Sequence, residues 1–113
     1  MPLKSKSGSS AIIVLVTCAT KSEACSLAAS LVEKRLAACS NISGSPVTSI
    51  YRWKGKVERA KEVLLVLKST RAAFPALERE VRRMHSYDVP EIIALPVIAG
   101  SRPYLAWLTK CIQ

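Results

Sequence analysis

The sequence predicts an α+β domain of the ferredoxin-like plan, β-α-β-β-α-β with a short C-terminal helix, in which the helices cover one side of an antiparallel sheet. Three observations carry this reading. Two amphipathic stretches, one running through Leu36 and one ending at Met84, have helical spacing, and each follows an apolar run. Between them Lys54-Gly55-Lys56 joins two strand-like runs as a hairpin. After the second helix, Glu91 to Val97 supplies a last strand.

Ala11 to Thr17 is β-branched and apolar, as in a central strand. Thr20 and Glu23 then have the spacing of a capping box, so a helix starts there. Ala24, Leu27, Ala28, Leu31 and Val32 form its buried stripe, with Glu33, Lys34 and Arg35 turned to water. Ala37 to Ile42 reads as a short strand ending at the turn formers Ser43-Gly44-Ser45-Pro46. From Val47 to Trp53 the residues alternate, placing Val47, Ser49, Tyr51 and Trp53 on one face. Val57 to Leu67 returns as a long strand, and the polar tip, Lys54 to Glu62, projects past the sheet with no core to cover. Ser69 or Thr70 caps the second helix, where Pro75 falls near the first turn and Phe74, Leu77, Val81 and Met84 make the buried face. Pro90 pushes Val89 toward an extended conformation, and Ile92 to Leu95 has the apolar character of a strand covered on both faces. Tyr104, Trp107, Leu108 and Cys111 share one face of the last helix.

With 113 residues, the chain is expected to be a flexible tail over residues 1–10 followed by a single domain over residues 11–113. Half the residues are apolar, yet no run approaches the roughly 20 needed to span a membrane. The first ten residues lack the apolar region of a secretion signal, which favours a cytoplasmic protein. Cys18, Cys25, Cys39 and Cys111 are scattered, without the spacing of a disulfide framework or a zinc ribbon. A net charge of +9 is spread along the chain and attracts anions in general without naming nucleic acid. The strands are apolar enough that the side of the sheet away from the helices needs cover, which an oligomer would provide.

The only histidine, His85, stands in a turn beside Tyr87, Asp88 and Glu91. Three blocks of sequence place that turn in a wider pattern. They are Val32-Glu33-Lys34-Arg35-Leu36-Ala37-Ala38-Cys39-Ser40-Asn41-Ile42, then Thr48-Ser49-Ile50-Tyr51-Arg52-Trp53-Lys54-Gly55-Lys56-Val57-Glu58, and His85 through Val97, with Tyr104-Leu105-Ala106-Trp107-Leu108 closing the match. In order and spacing they resemble the CutA divalent-cation tolerance family. The resemblance implies a ferredoxin-like subunit in a homotrimer similar to the PII signalling proteins. It also implies a link to tolerance and binding of copper or another divalent cation, with no established catalysis. His85 matches the family's histidine and Cys39 the cysteine of its Ala-Ala-Cys block. Met84 stands where some members carry a second histidine, and Val16 where some carry a metal-linked cysteine, with Cys18 two residues on.

A transition metal takes three or four donors, and one subunit offers a single imidazole with dispersed thiols. His85 and Cys39 are therefore the candidate metal ligands only if a threefold axis or subunit cleft multiplies His85 or joins it to Asp88 or Cys39 of a neighbour; alternatively His85 is a hydrogen-bonded residue that holds the turn. Tyr51, Trp53, Lys68 and Glu91 are candidate residues of a ligand cleft for a small anionic metabolite or organic molecule, with interface packing as the other role of the aromatics. Catalytic motifs are missing, and a Cys39–His85 dyad has nothing else to support it, so the reading is a non-enzyme. RNA-recognition modules share the element order, but Val63 to Leu67 has none of the stacking aromatics they need, which argues against specific nucleic-acid binding. The expected function is divalent-cation tolerance by a trimeric binding protein; the alternatives are a PII-like sensor of a small anionic metabolite and a scaffold for a protein partner.

Overall fold

A computed structural model describes residues 10–112. In chain order the elements are β1 (Ala11–Cys18), α1 (Lys21–Glu33), β2 (Cys39–Ile42), β3 (Val47–Trp53), β4 (Lys56–Thr70), α2 (Phe74–Met84), β5 (Ile92–Pro96) and α3 (Arg102–Cys111). The sheet runs β2-β4-β1-β5, and β3 pairs with the outer half of β4. All pairings are antiparallel. This is the expected α+β, ferredoxin-like order. The expected tail falls on residues 1–9, which lie outside the described residues, whereas at Ser10 the backbone carbonyl already accepts a hydrogen bond from the Arg71 amide at 2.8 Å.

Alternation along the two central strands builds the core. Val14, Val16 and Cys18 on β1 pair with Leu67, Leu65 and Val63 on β4, and all six are buried against Leu27, Leu31, Leu77 and Val81 of α1 and α2. A second cluster lies at the other end, where α3 buries Leu108 against Ala11 and Ala38. Tyr104 and Trp107 do not share that burial; both are exposed.

Several boundaries differ from the sequence reading for local reasons. Ala37 and Ala38 are buried but lie before β2, as a connection anchored by the Ala38 amide donating to Lys68 O. β4 continues through Ser69 and Thr70, so neither is the N-cap of α2. That position is Ala73, whose amide donates to Thr70 Oγ1 at 3.3 Å. β5 is shorter than expected, and it is an edge strand with one face bare: Ile93 is 51% and Leu95 45% exposed. The expectation of cover on both sides of this strand fails within one chain, because the side away from the helices has nothing packed on it.

Two turns depend on left-handed backbone. Lys54 (φ 51°) and Gly55 (φ 81°) close the β3–β4 hairpin with positive φ at both positions, the geometry that matches strand twist. Arg35 (φ 60°) ends α1, and its Nε and Nη2 donate to Cys111 O and Lys110 O, each at 3.1 Å, neutralising carbonyls at the end of α3.

Candidate functional site: an acidic and aromatic cleft

Where β1 ends, four segments line a cavity of about 690 Å³. Thr17 comes from β1, and Ser49, Ile50, Tyr51 and Trp53 come from β3. Glu62 comes from β4, and residues Tyr87 to Glu91 come from the connection before β5. Register explains the meeting. Tyr51 stands opposite Glu58 and Val47 opposite Glu62, so alternation puts Tyr51, Trp53 and Glu62 on the same side as the open face of the sheet.

His85 fixes the connection from behind. Its side chain is fully buried; Nε2 donates to Thr17 O at 2.8 Å, and Nδ1 accepts from the Tyr87 amide at 3.1 Å. Both ring nitrogens are thus used, in the neutral tautomer that carries its proton on Nε2. Glu23 Oε2 lies 3.6 Å from Nδ1 and accepts from the Ser86 amide at 2.7 Å, while Oε1 accepts from Ser86 Oγ and from the Ala19 amide. Burial works to raise the Glu23 pKa, but the Ser86 hydrogen bonds outweigh it and hold the group below its ordinary value.

Glu62 is only 8% exposed, and Tyr87 Oη donates to its Oε2 at 2.7 Å. Burial and then this bond to the carboxylate push the Tyr87 phenol up, so it stays a donor. Sequence reasoning assigned Glu62 to a polar hairpin tip with no core. The tip ends earlier, and Glu62 sits where β4 re-enters the body. Glu23 was likewise explained as a helix cap, which concealed its second task of holding the His85 turn. Its bond to Ser86 spans 63 residues, and no local pattern signals it.

The remaining sequence candidates divide. Tyr51, Trp53 and Glu91 line the cleft, but Lys68 does not. It pairs with Cys39 across the β2–β4 ladder, where its ammonium donates to Asn41 Oδ1 and lies 4.0 Å from Cys39 Sγ. Lys68 stands opposite Ile13, four residues along β1 from Thr17, or about 13 Å at the usual strand rise. The cation expected to receive an anionic metabolite is therefore at the other end of the sheet, and the cleft is lined by Glu62, Asp88 and Glu91 without a lysine or arginine. The same separation parts Cys39 from His85 within a subunit, so the pair makes neither a dyad nor a shared metal site there. Among the described residues no group of three or more His, Cys, Asp or Glu is close enough to hold a metal ion. The donors of one chain do not fit a divalent cation.

Cys18 is buried in the core and its pKa is pushed up to about 12, first by burial and then by Glu23 and Glu62, so it stays protonated.

Comparison with known proteins gives a consistent result. The family model for the CutA1 divalent ion tolerance protein matches residues 12–111. A Thermus thermophilus protein described as "Divalent-cation tolerance protein CutA" is 50% identical over 87% of this chain and 94% of its own length. The human "Protein CutA" is 48% identical over 84% of this chain, which spans only 52% of that longer protein. Among solved structures, the Thermus thermophilus divalent cation tolerance protein superimposes with a TM-score of 0.89 at 47% identity, covering 91% of this chain and 99% of that one. CutA1 from Oryza sativa does so with a TM-score of 0.89 at 39% identity, covering 95% of this chain and 97% of that one. With nearly its whole length matched by the family model, the chain belongs to the CutA1 divalent ion tolerance protein family.

Proposed function

We propose that this protein is a homotrimeric binding protein of divalent-cation tolerance, without catalysis of its own, in which each subunit covers the open sheet face of the others. The observation that carries the reading is that face. Ile13 and Leu15 of β1, Leu64 and Val66 of β4, and Ile93 and Leu95 of β5 form a contiguous apolar surface that is half-buried or exposed, and α3 covers this face only at its Ala11 end. Leaving such a surface in water is costly, at about 25 cal/mol for each Å². Assembly of three copies follows the family resemblance.

A divalent cation finds its donor set where side chains of more than one subunit meet, since no such group gathers among the described residues of one chain. Four free thiols suit a reducing compartment, and the cytoplasm is the proposed location. Relatives in this family are described as chloroplastic, and one solved structure as periplasmic.

The test is the mass in solution with Leu95→Lys as the disrupting variant. The wild-type chain is expected at three times its 12.3 kDa, and the variant at a smaller mass with unchanged far-UV circular dichroism. Saturable copper binding, measured with the amino terminus blocked, should then be present in the trimer and lost in the variant. A monomeric wild-type chain would sink the proposal, and copper binding that survives dissociation would remove its metal part.

A further inference from the structure

We propose that the β3–β4 hairpin docks this protein on an anionic lipid surface, through the face of the hairpin that continues the helix side of the sheet. Register identifies that face. On β4, Lys61, Arg59 and Val57 continue the alternation of Leu67, Leu65 and Val63, the positions buried beneath α1 and α2. Opposite them on β3 stand Thr48, Ile50 and Arg52. β1 ends at Cys18, level with Val63, so from Glu62 outward β4 is paired with β3 alone, and all six residues are exposed. This is the reverse of the side that the proposed trimer covers, and of the side that carries Tyr51, Trp53 and Glu62.

The face has one sign of charge. Arg52, Arg59 and Lys61 form no ion pair among the described residues, and the acids of the same strand, Glu58 and Glu62, have the other parity and turn to the open side. Lys61 and Arg59 stand about 6.8 Å apart along β4, and Arg52 lies about 7–8 Å from Arg59 on the diagonal. Three like charges held this close repel one another, and a negatively charged surface relieves that repulsion.

The residues between the cations separate the partner classes. Ile50 is 57% and Val57 63% exposed, and they alternate with the charges on a ribbon that has no core beneath it to require them. Against a bilayer such side chains enter the boundary between headgroups and acyl chains, while arginine and lysine reach the phosphates on their long stems. A nucleic-acid backbone would use the cations and leave the aliphatics in water, and its bases would find no ring on this face to stack on. A stable protein interface takes about 800 Å² from each partner. Two strands of this length present roughly 250 Å² on one face. A membrane sets no such threshold, since each cation near an anionic leaflet adds about fivefold to partition, and joined subunits add their contacts. No helix among the described residues is long and apolar enough to cross a membrane, and what the hairpin reaches is the surface.

The experiment is sedimentation of the full-length protein with vesicles of phosphatidylcholine alone, and of a two-to-one mixture of phosphatidylcholine and phosphatidylserine. Binding is expected to the mixture only, and should weaken as salt rises. Arg59→Glu combined with Lys61→Glu should lower partition by about tenfold or more. Val57→Ser, which leaves every charge in place, should lower it about threefold. Arg79→Glu combined with Arg82→Glu makes the same change of charge on exposed positions of α2 and should retain most of the binding. Each variant alters exposed side chains only, and far-UV circular dichroism and solution mass should match the wild type. The proposal is overturned by no binding to the mixed vesicles, by equal loss in the two charge-reversed pairs, by an unaffected Val57→Ser, or by tighter binding of a single-stranded oligonucleotide. None of these outcomes depends on the trimer or on copper, which have their own tests in the mass and the metal titration.

Discussion

On β1 and β4, adjacent positions meet opposite conditions. Val14, Val16, Leu65 and Leu67 are fully buried beneath α1 and α2, while Ile13, Leu15, Leu64 and Val66, one residue along the same strands, are only half-buried on the open side. Both sets are aliphatic, so composition does not tell them apart. Helices decide the difference: α1 and α2 complete one face, and the other lacks their cover. Farther along the open side, where the hairpin and the His85 turn begin, aliphatic side chains give way to Tyr51, Trp53 and Glu62. That change marks where the aliphatic surface ends and the cleft begins.

The largest effect should come from the completed face. Leu67→Ala removes a fully buried side chain from the main core and should cost ~2–5 kcal/mol in urea unfolding, with no change of subunit mass. Leu95→Lys, on the open face, should do the reverse and dissociate subunits while leaving each one folded. If Leu67→Ala and Leu95→Lys both changed the mass, the two faces would not be independent and the comparison would fail.

Next comes the turn that closes the cleft. His85→Ala leaves the Thr17 carbonyl and the Tyr87 amide without their partners in a buried place, and should cost ~2–4 kcal/mol. Replacement by Gln, which can both donate and accept, should recover part of that loss. If His85→Ala proved as stable as wild type, the histidine would be free for another role and the structural account of it would be wrong.

Much of this was legible in the sequence because it is written in local patterns. The strand alternation, the Thr20 side-chain cap and the helix stripe ending at Met84 all depend on neighbours within a few residues, and the structure repeats them, although Glu23 reaches the Ala19 amide where a capping box would have it reach that of Thr20. What the sequence hid depends on register between distant segments. Lys68 looked like a cleft residue until the ladder placed it beside Cys39, and Glu62 looked like solvent-facing charge until Tyr87, 25 residues on, reached it. The bare face of β5 was hidden too, since Ile92 to Leu95 has the same residues whether its cover comes from this chain or from another.

A pH effect sharpens the comparison from the helix side. Glu80 on α2 accepts from Arg83 Nη2 at 2.6 Å and from Lys34 Nζ of α1 at 2.8 Å, and these partners, Arg83 first, hold its carboxyl down to about 2 from the ordinary 4.5. A folded value below the unfolded one means that the contribution is complete above about pH 4.5 and is lost as the pH falls toward 2. Glu80→Gln should therefore be less stable than wild type at pH 6, and the gap should close by about pH 2. A gap that stays constant with pH would show that the loss is one of packing.

The smallest effect concerns how α3 is tied to the covered side. Arg35 is asked for two things at once: a left-handed backbone at φ 60° and two guanidinium bonds to the carbonyls of Lys110 and Cys111. Glycine meets the first demand and fails the second, whereas alanine fails both. Arg35→Ala should thus cost ~1–2 kcal/mol, and Arg35→Gly should be milder by about 1 kcal/mol, the penalty a side chain pays in that conformation. Matched unfolding curves of the two variants measure the backbone term directly. Equal losses would mean that the chain relaxes out of the left-handed region once the guanidinium is gone, and that the clamp on α3 is what holds the turn in place.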